Sequence, residues 1–355
     1  MGNLPDTEQK IALVGPFPPP YGGISVHIKR IIRLLPEDSY DMYNTSKVPH
    51  PVYYRFYGKI KYIKALVFLF RKYKLIHVHA TDNTLRIVFG FIGFFKRNIY
   101  IHLHGMSHLD FLEAKHPGGW LLRKLISNLH ILAVNEKIAA RVSRYHPLTI
   151  TVADAYLPPV FKKEIISNIR VRYSTFFRDD RFIISMNGFF SSYMGIDLYG
   201  YDMAAELLSI LKKKSIHAYL VACVNGIVNR KIYENFLEKI ERNKLSDQVL
   251  LIFEAEEAWP FFLLSDVFIR PTCSDGLGVS ILEARWAGTP AIASDCIPRP
   301  EGTLIFKNRD TDGLAQKVIQ VYQEGRKPVE NKIRNFRQKP FQSKLIDDIY
   351  KISHE

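Results

Sequence analysis

A glycine-containing stretch near residue 280 has the residue types that bind an anion through the backbone. Gly276 and Gly278 let the main chain approach a ligand closely, because glycine has no side chain. A helix is predicted to begin near Ser280. The first amides of a helix have no partner within it and lie at its positive end, where phosphates bind. The outward-facing amides are predicted to be those of Val279, Ser280 and Ile281.

Two carboxylates flank the same glycines and support a second kind of contact. Asp275 lies in the predicted loop and Glu283 one turn into the predicted helix, where both can accept hydrogen bonds from sugar hydroxyls. Ser280 and Glu283 also have the spacing of a capping box, in which the two side chains satisfy only backbone amides. The stretch therefore predicts a sugar-phosphate site, with a helix cap as the alternative role for Ser280 and Glu283.

The surrounding pattern predicts the elements that position this loop. Val267–Ile269 has the length of a buried strand, and Thr289–Ser294 is typical of another. Gly288 stands between the helix and the second strand, where a left-handed residue commonly ends a helix. Strand, loop, helix and strand form a βαβ unit, with its polar loop at the carboxyl edge of the sheet. Open α/β sheets bind ligands at that edge.

A second glycine corner lies near the amino terminus. The strand predicted at Lys10–Gly15 leads into a proline-rich turn with Gly22 and Gly23, and an amphipathic helix follows at Ile24–Leu35. Such a corner can bind phosphate at the helix start, although it lacks the G-x-G-x-x-G spacing of a dinucleotide site. Paired glycines also occur as simple turns, which is the alternative interpretation here.

Four histidines lie on two predicted core strands of the first half. Alternation places His77 and His79 on one face of the first strand, and His102 and His104 on one face of the second. No carboxylate or cysteine completes a metal site with them, so we predict satisfied core histidines and no bound metal. His104 differs because it ends its strand at the edge where ligands bind. The two strands are Leu75–Ala80 and Ile99–Gly105.

A basic aromatic segment lies between the amino-terminal glycine corner and the two histidine-containing strands. Tyr53–Lys74 interleaves aromatic and aliphatic residues with seven lysines and arginines. We predict a helix with one face packed on a sheet and a basic face outside. Such a face can hold the protein on an anionic bilayer. An ordinary packed helix with a solvated basic face is the alternative.

The segment from Asp266 to Phe306 resembles the signature of family-4 (group 1) retaining glycosyltransferases of the GT-B fold. That family carries two acidic residues around a glycine loop, then Glu-Ala, a Gly-x-Pro turn and an "SD…PE" segment. The corresponding residues here are Asp275, Glu283-Ala284, Gly288-Thr289-Pro290, Ser294-Asp295 and Pro300-Glu301. The segment is most similar to those of bacterial capsule and O-antigen polysaccharide transferases.

This resemblance implies an α/β protein of the GT-B fold, with two doubly wound Rossmann-like domains facing a central cleft. Residues 1–162 would form the acceptor-side domain, 163–338 the nucleotide-sugar-binding domain, and 339–355 a helix that returns to the first domain. A shift to polar, charged composition after Pro158-Pro159 favours a boundary in the same region.

The resemblance also implies roles for individual residues. Glu283 would hold the ribose of a nucleotide-sugar, and Asp275 would contact the sugar hydroxyls and stabilise the charge that develops as the glycosidic bond breaks. His104 resembles the family's histidine that contacts the donor sugar near the reacting carbon, and these two residues, His104 and Asp275, are the predicted catalytic pair. The predicted donor-binding residues are Gly22, Gly23, Arg270, Gly276, Leu277, Gly278, Val279, Ser280 and Glu283.

The chain departs from the family pattern at two places. Asp275 stands where the family usually has Glu, and the Arg and Lys that grip the donor diphosphate are missing from residues 187–202. Candidate substitutes are Arg270, Arg285 and Arg299. Arg270 is the strongest of these candidates because it precedes the glycine loop. Its alternative role is a structural salt bridge. The departures support a second hypothesis, a catalytically weakened partner subunit or carbohydrate-binding protein.

Length, composition and charge bound the class of protein. At 355 residues with 47% hydrophobic residues, the chain fits two globular domains. Three cysteines without metal or redox spacing favour a reducing compartment. The polar amino terminus and short apolar runs predict neither a secretory signal nor a membrane span. The net charge of +14 fits nucleic acid, an anionic membrane surface or phosphorylated substrates, and charge alone does not decide among them. No nucleic-acid motif is found.

We therefore expect a metal-independent glycosyltransferase that acts with retention of configuration. Its donor would be a nucleotide-sugar, UDP-linked by family habit, and its acceptor a lipid-linked oligosaccharide of surface polysaccharide synthesis. No cofactor and no nucleic-acid partner are expected. The predicted location is the cytoplasm, at the inner face of the cell membrane.

Overall fold

Two parallel β-sheets organise the chain, one in each of two structural units. The units are Met1–Leu157 with Gln342–Glu355, and Pro158–Phe341. The structure is a computed structural model, and it describes residues 10–19, 21–80, 82–105, 107–153, 156–253, 255–276, 278–337 and 345–350. The predicted α/β class with two Rossmann-like sheets is confirmed.

The sheet of the first unit has seven strands. They are β1 (Ile11–Gly15), β2 (Tyr40–Asn44), β3 (Tyr54–Arg55), β4 (Leu75–Val78), β5 (Ile99–Leu103), β6 (His130–Ala133) and β7 (Thr149–Val152). Their order is β3-β2-β1-β4-β5-β6-β7, and all neighbours are parallel. The strand order reverses between β1 and β4, so a crevice forms there at the carboxyl edge.

Among the described residues of this unit, six α-helices accompany the sheet. They are α1 (Gly23–Leu34), α2 (Ile60–Lys64), α3 (Asn83–Ile92), α4 (Ser107–Glu113), α5 (Pro117–Leu125) and α6 (Glu136–Val142). Short 3-10 turns lie at Glu37–Ser39, Ala65–Leu69, Ile126–Asn128 and Ser143–Tyr145. Side chains at Asp82 and Asn135 cap α3 and α6 by accepting backbone hydrogen bonds.

The basic aromatic segment does not form the single helix predicted from its pattern. Tyr54–Arg55 forms β3, and Gly58 takes a left-handed conformation with φ of 74°. Helical structure begins at Ile60 as α2 and continues as a 3-10 turn through Leu69. A strand pairing and a left-handed glycine therefore divide what the hydrophobic periodicity suggested was one element.

The carboxyl-terminal segment includes Leu345–Tyr350, a π-helical turn that belongs to the first unit. Tyr350 is fully buried, and its hydroxyl lies 2.6 Å from His77 Nδ1. Its carbonyl accepts a hydrogen bond of 3.1 Å from Lys74 Nζ. Residues 339–344 and 351–355 of the predicted returning helix lie outside the described residues.

The sheet of the second unit has six strands. The strands of this unit are β8 (Phe182–Phe190), β9 (Ser192–Tyr193), β10 (Ile196–Asp197), β11 (Ala218–Ile227), β12 (Val249–Phe253), β13 (Val267–Arg270), β14 (Ala291–Ser294) and β15 (Leu304–Phe306). The main sheet has the order β12-β11-β8-β13-β14-β15 and is parallel, while β9 and β10 form a separate hairpin. Its switch point lies between β8 and β13.

The described part of this unit contains seven α-helices. They are α7 (Lys163–Arg172), α8 (Tyr201–Lys213), α9 (Arg230–Arg242), α10 (Trp259–Leu263), α11 (Val279–Trp286), α12 (Thr311–Gln323) and α13 (Val329–Arg337), with a 3-10 turn at Ser246–Gln248. The apolar faces of α8, α9 and α12 pack with β8, β11 and β13 in one buried cluster. Across the described part of the chain, no helix is both long and apolar enough to cross a bilayer.

The βαβ unit predicted around residue 280 is present. Helix α11 connects the parallel neighbours β13 and β14. Gly288 has φ of 77°, and the amides of Gly288 and Thr289 donate to the carbonyls of Arg285 and Ala284. These are the two hydrogen bonds of a Schellman cap. The predicted left-handed role of Gly288 is therefore confirmed.

Candidate functional site

The glycine loop lies at the switch point of the second sheet. It connects β13 to α11 at the carboxyl edge, beside the end of β8. Arg270, the last residue of β13, spans this point because its Nη1 lies 3.3 Å from both the carbonyl and the side-chain oxygen of Asn187 in β8. Open parallel sheets bind ligands in the crevice at such a point.

The start of α11 differs from the capping box considered above. Its N-cap is Gly278, in a left-handed conformation with φ of 71°, and no side chain caps the helix. Ser280 is already the second helical residue, so it cannot act as the N-cap. Its hydroxyl instead lies 3.2 Å from Arg270 Nη1. The helix-cap alternative for Ser280 and Glu283 is wrong.

The amides at this helix start are only partly available to a ligand. Val279 and Ser280 occupy the first two positions of the helix, where amides have no intrahelical acceptor. The Ile281 amide, predicted to face outward, donates to the Gly278 carbonyl at 2.8 Å. The Gly276 amide donates to Asp275 Oδ1 at 3.0 Å. An anion at this helix would therefore meet the amides of Val279 and Ser280 first.

Glu283 is a buried carboxylate over the carboxyl end of the sheet. The residue is 7% exposed and lies on the buried side of α11. It is close to Cys223 of β11, where burial and then the Glu283 charge raise the pKa of the thiol. A carboxylate near the surface of such an edge can accept hydrogen bonds from vicinal hydroxyls.

Asp275 forms the centre of a buried ionic cluster. Its Oδ2 accepts from Arg270 Nε at 3.0 Å, Arg299 Nη1 at 2.8 Å and the Thr272 hydroxyl at 3.3 Å. Its Oδ1 accepts from Arg270 Nη2 at 3.1 Å and from the Gly276 amide at 3.0 Å. The carboxylate therefore has five donors within the protein, which saturates its usual acceptor capacity.

The electrostatics of this cluster keep Asp275 ionised. Burial alone would raise the pKa of the Asp275 carboxyl, but the charges and hydrogen bonds of Arg270 and Arg299 hold that pKa well below its ordinary value. The Asp275 charge in turn raises the pKa of Arg270 against the opposing effect of burial. The side chains of Asp275 and Arg299 are 9% and 1% exposed.

Arg299 is fixed by several contacts besides Asp275. Its Nε donates to the Ser294 carbonyl at 2.8 Å, and its Nη2 lies 3.1 Å from the Thr272 hydroxyl and 3.2 Å from the Ser294 hydroxyl. A Cβ added at Gly278 would lie 3.0 Å from Arg299 Nη1. Only glycine therefore fits where the loop passes over this guanidinium.

The remaining residues predicted in this loop have different outcomes. Leu277 lies outside the described residues. Arg285, one of the candidate phosphate ligands, lies against Gly302, where an added Cβ would be 2.9 Å from Arg285 Nη2. The structure thus brings together Arg270, Asp275, Gly276, Gly278 and Ser280.

The amino-terminal glycine corner leads directly into α1. Gly22 is the N-cap in an extended conformation, and its amide donates to the Ser25 hydroxyl at 2.9 Å. Gly23 is the first helical residue, and a Cβ added there would meet nothing within 4 Å. The backbone at Gly23 is therefore open to a ligand.

Five histidines pack together at the switch point of the first sheet. His79 Nδ1 lies 2.8 Å from His104 Nε2, and His77 Nε2 lies 3.2 Å from His102 Nδ1. The ring centroid of the fifth, His27 of α1, lies within 5.5 Å of those of His79, His102 and His104, with the rings tilted or edge-on to one another. The predicted same-face placement of the histidine pairs is confirmed. Sequence analysis did not find His27, because α1 brings it there from about fifty residues away.

The protonation of this histidine cluster is controlled by burial. Burial, and then the neighbouring histidines, hold the pKa values of His77 and His79 well below their ordinary value. One ligand atom from each of His27, His79 and His102 lies within 4.8 Å of the others, a spacing that admits a metal ion. The absence of a bound metal stays a prediction.

Part of the chain matches a known protein family. Residues 188–324 match the family described as Glycosyl transferases group 1. The matched segment contains the end of β8, all of β11 and β13, the glycine loop, and α11 with Glu283.

One curated relative and several solved structures are similar to the chain. The O-antigen biosynthesis glycosyltransferase WclY of Escherichia coli is 29% identical over 96 residues, which is 27% of this chain and 25% of that protein. The chain thus matches about a quarter of the length of this relative. The fold is similar to that of HepE from Anabaena, solved in complex with UDP, with a TM-score of 0.70 and 12% identity over 92% of this chain and 94% of HepE.

A second solved structure supports the same architecture. The lipopolysaccharide outer core galactosyltransferase WaaB has a TM-score of 0.61 and 15% identity, over 96% of both chains. At these identities the likeness shows the fold, which is that of two-domain GT-B glycosyltransferases.

Proposed function

We propose that the protein is a glycosyltransferase that moves a sugar from a nucleotide-sugar, UDP-linked, to a lipid-linked oligosaccharide of surface polysaccharide synthesis, with retention of configuration. The observation that carries the proposal is the switch-point site of the second unit. There a glycine N-cap, a basic side chain and a buried carboxylate occur together within the segment that matches the group 1 family.

The donor is assigned to this site by the chemistry of its groups. The Val279 and Ser280 amides and the positive end of α11 suit a diphosphate, and Arg270 adds a charged donor beside Ser280. Glu283 suits the ribose hydroxyls, because an ionised carboxylate accepts hydrogen bonds from both. UDP is the nucleotide in the complex of the similar fold, HepE.

His104 is proposed to act on the donor sugar, as the resemblance implies. It follows β5 at the carboxyl edge of the first sheet, and its Nε2 is paired with His79 Nδ1. An imidazole hydrogen-bonded to a second histidine has a defined ring orientation. That orientation suits hydrogen bonding to a sugar hydroxyl, so loss of His104 should lower turnover more than donor affinity.

The acceptor is proposed to be lipid-linked because of one surface of the first unit. We call the exposed apolar side chains in and directly after α2, the following turn and α3 the apolar-basic surface. Its members include Ile63, Phe70 and Phe95, which are 70%, 80% and 66% exposed. Exposed Lys59, Lys64, Lys72 and Arg97 lie in or beside the same elements. Apolar side chains among basic ones suit the interface of an anionic bilayer, at the inner face of the membrane.

A turnover assay tests the proposal. Wild-type protein is incubated with UDP-glucose, UDP-galactose or GDP-mannose and a bacterial lipid-linked oligosaccharide fraction, and nucleoside diphosphate release is measured. We expect acceptor-dependent release from one donor, and a product whose anomeric configuration by proton NMR equals that of the donor. The Glu283→Ala variant should lose release, while Arg242→Gln, an exposed charge change on α9, should not.

Two results would contradict the proposal. An inverted anomeric configuration would reject the retaining mechanism. Specific nucleotide-sugar binding without release in the presence of any acceptor fraction would favour the weakened partner subunit or carbohydrate-binding protein. Two observations favour that alternative. The Asp275 carboxylate already has its full set of hydrogen-bond donors, and residues 187–202 contain no Arg or Lys.

A further inference from the structure

The chain lacks the Arg and Lys that grip the diphosphate in the family it resembles, since residues 187–202 contain neither residue type. We propose that Arg270, Arg299 and Asp275 form one buried unit that replaces those bases and binds the donor's diphosphate through Arg270. Arg299 and Asp275 are positioning residues in this unit. The inference rests on the proposed function, because it concerns the same donor site.

Arg270 is the member of the unit that can reach a ligand. Its side chain is 11% exposed, whereas that of Arg299 is 1% exposed. Its Nη1 contacts Ser280 at the start of α11, beside the amides of Val279 and Ser280. Its Nη2 donates one hydrogen to Asp275, and within the described residues the second has no acceptor. A phosphate at the helix start can therefore take that hydrogen together with the amides.

Asp275 holds Arg270 in this orientation. The two side chains form a bidentate pair, which fixes the plane of the guanidinium as a single hydrogen bond cannot. The Tyr199 ring lies 5.2 Å from the same guanidinium and limits its movement on another side. Both carboxylate oxygens of Asp275 accept hydrogen bonds from these donors, so its role here is to orient the cations rather than to contact sugar hydroxyls.

Arg299 acts through Asp275 and through its charge. Asp275 alone would neutralise Arg270, and the pair would attract a diphosphate weakly. With Arg299 the cluster has two guanidinium cations and one carboxylate, a net charge of +1. This charge lies directly beneath Gly278, the N-cap of α11, and adds to the positive end of the helix. Burial limits its screening by salt.

The test compares ligands that differ only in phosphate number. Uridine, UMP and UDP are titrated into wild-type protein and into Arg270→Gln, Arg299→Gln and Asp275→Asn by calorimetry. Arg270→Gln should weaken UDP roughly tenfold or more, the change typical of one charge-assisted hydrogen bond, and change uridine by less than about twofold. Arg299→Gln should weaken UDP by roughly threefold to tenfold, again without an effect on uridine.

Asp275→Asn tests the positioning role of Asp275. It keeps the side-chain shape but removes the bidentate ion pair that orients Arg270, so UDP should bind more weakly than to wild type, while uridine affinity should change little. A role for Asp275 in holding the donor sugar predicts something else, namely a selective loss of UDP-glucose affinity relative to UDP. Arg299→Lys keeps the charge and should retain most of the UDP affinity, which provides a second variant if Arg299→Gln does not fold.

The outcomes separate this inference from the proposed function. Equal losses of uridine, UMP and UDP in the arginine variants would mean a purely structural role and would overturn the inference. So would unchanged UDP affinity in folded Arg270→Gln, while the donor site itself would stand. If wild-type protein binds no nucleotide at millimolar concentration, the proposed function fails and this inference fails with it. Arg242→Gln is the control for loss of one positive charge elsewhere.

Discussion

Arg270 and Asp275 form a bidentate ion pair across the turn between β13 and α11, with Nε–Oδ2 and Nη2–Oδ1 distances of 3.0 and 3.1 Å. The pair connects the end of a core strand to the loop that begins the helix. Because Arg270 also contacts Asn187 of β8 and Ser280 of α11, it ties three elements together at the switch point. The packing of this unit and its proposed donor site therefore depend on the same side chains.

The Asp275 charge should make stability depend on acidity below pH 4. The folded-state pKa of Asp275 is held below the value of about 3.9 in an unfolded chain. Its contribution is therefore fully present above that value and is lost as the pH falls below it. The free energy of unfolding of wild type relative to Asp275→Asn should be constant from pH 7 to 5. It should then shrink by about 1 kcal/mol by pH 3.

Chemical denaturation of the two proteins at each pH measures this difference. Asp247→Asn is the control, because Asp247 lies in the exposed 3-10 turn before β12. If the difference in the free energy of unfolding stays constant down to pH 3, the arginines do not stabilise the ionised form of Asp275.

Gly278 should tolerate no side chain. Gly278→Ala places a Cβ at φ of 71° and within 3.0 Å of Arg299 and Ile281, so both backbone strain and crowding oppose it. Gly195→Ala is the matched control, because Gly195 has φ of 79° and an added Cβ meets nothing within 4 Å. We expect Gly195→Ala to cost about 1 kcal/mol from strain alone and Gly278→Ala clearly more. Thermal denaturation compares them, and equal losses would contradict the close approach of Arg299.

The histidine cluster should destabilise the first unit in mild acid. His77 and His79 have folded-state pKa values below the unfolded value of about 6.5, so the unfolded chain binds protons first as the pH falls. Their contribution is complete above pH 6.5 and is lost below it, by up to about 1.4 kcal/mol per histidine and pH unit. Calorimetric melting between pH 7.5 and 5 should show this loss.

A pair of variants assigns that loss to the cluster. His79→Gln should reduce the dependence of the melting temperature on pH, whereas His217→Gln, at an exposed position before β11, should leave it unchanged. If both variants keep the wild-type slope, the buried histidines are not its source.

The apolar-basic surface should bind anionic vesicles. Ile63→Ser with Phe70→Ser removes two of its most exposed apolar side chains. We expect this double variant to sediment poorly with vesicles containing phosphatidylglycerol, whereas wild type sediments with them and is released by salt. Val171→Ser is the control, because Val171 is 78% exposed in the other unit. Equal sedimentation of all three proteins would show that the apolar-basic surface does not bind the membrane.

Local pattern was sufficient for the elements around the loop. Strands β13 and β14 and the left-handed conformation of Gly288 depend on near neighbours in the chain. Each was predicted correctly from the sequence. The helix start was less certain, because Gly278 and Ser280 are both plausible caps by type. The contact of Ser280 with Arg270 decided between them, and it depends on how β13 and α11 pack.

Long-range contacts account for the features that sequence reasoning did not reach. His27 joins the other histidines, and Tyr350 joins His77, only through the packing of α1 and the carboxyl-terminal turn. Arg299 was considered as a phosphate ligand, but its salt bridge to Asp275 spans 24 residues of sequence and has no local signature. The predicted helix at Tyr53–Lys74 failed because the pairing of β3 with β2 outweighs hydrophobic periodicity.

The measurement that tests the central claim most directly is nucleotide binding to wild type and to Glu283→Ala, with folding checked by thermal melting. Calorimetric titration with UDP, GDP, ADP and CMP should show that UDP binds wild type. Glu283→Ala should lose that binding and still unfold in a cooperative transition, because α11 begins at Gly278 without a side-chain cap. A variant that melts earlier but binds UDP as wild type does would contradict the account, since Glu283 would then be a structural residue.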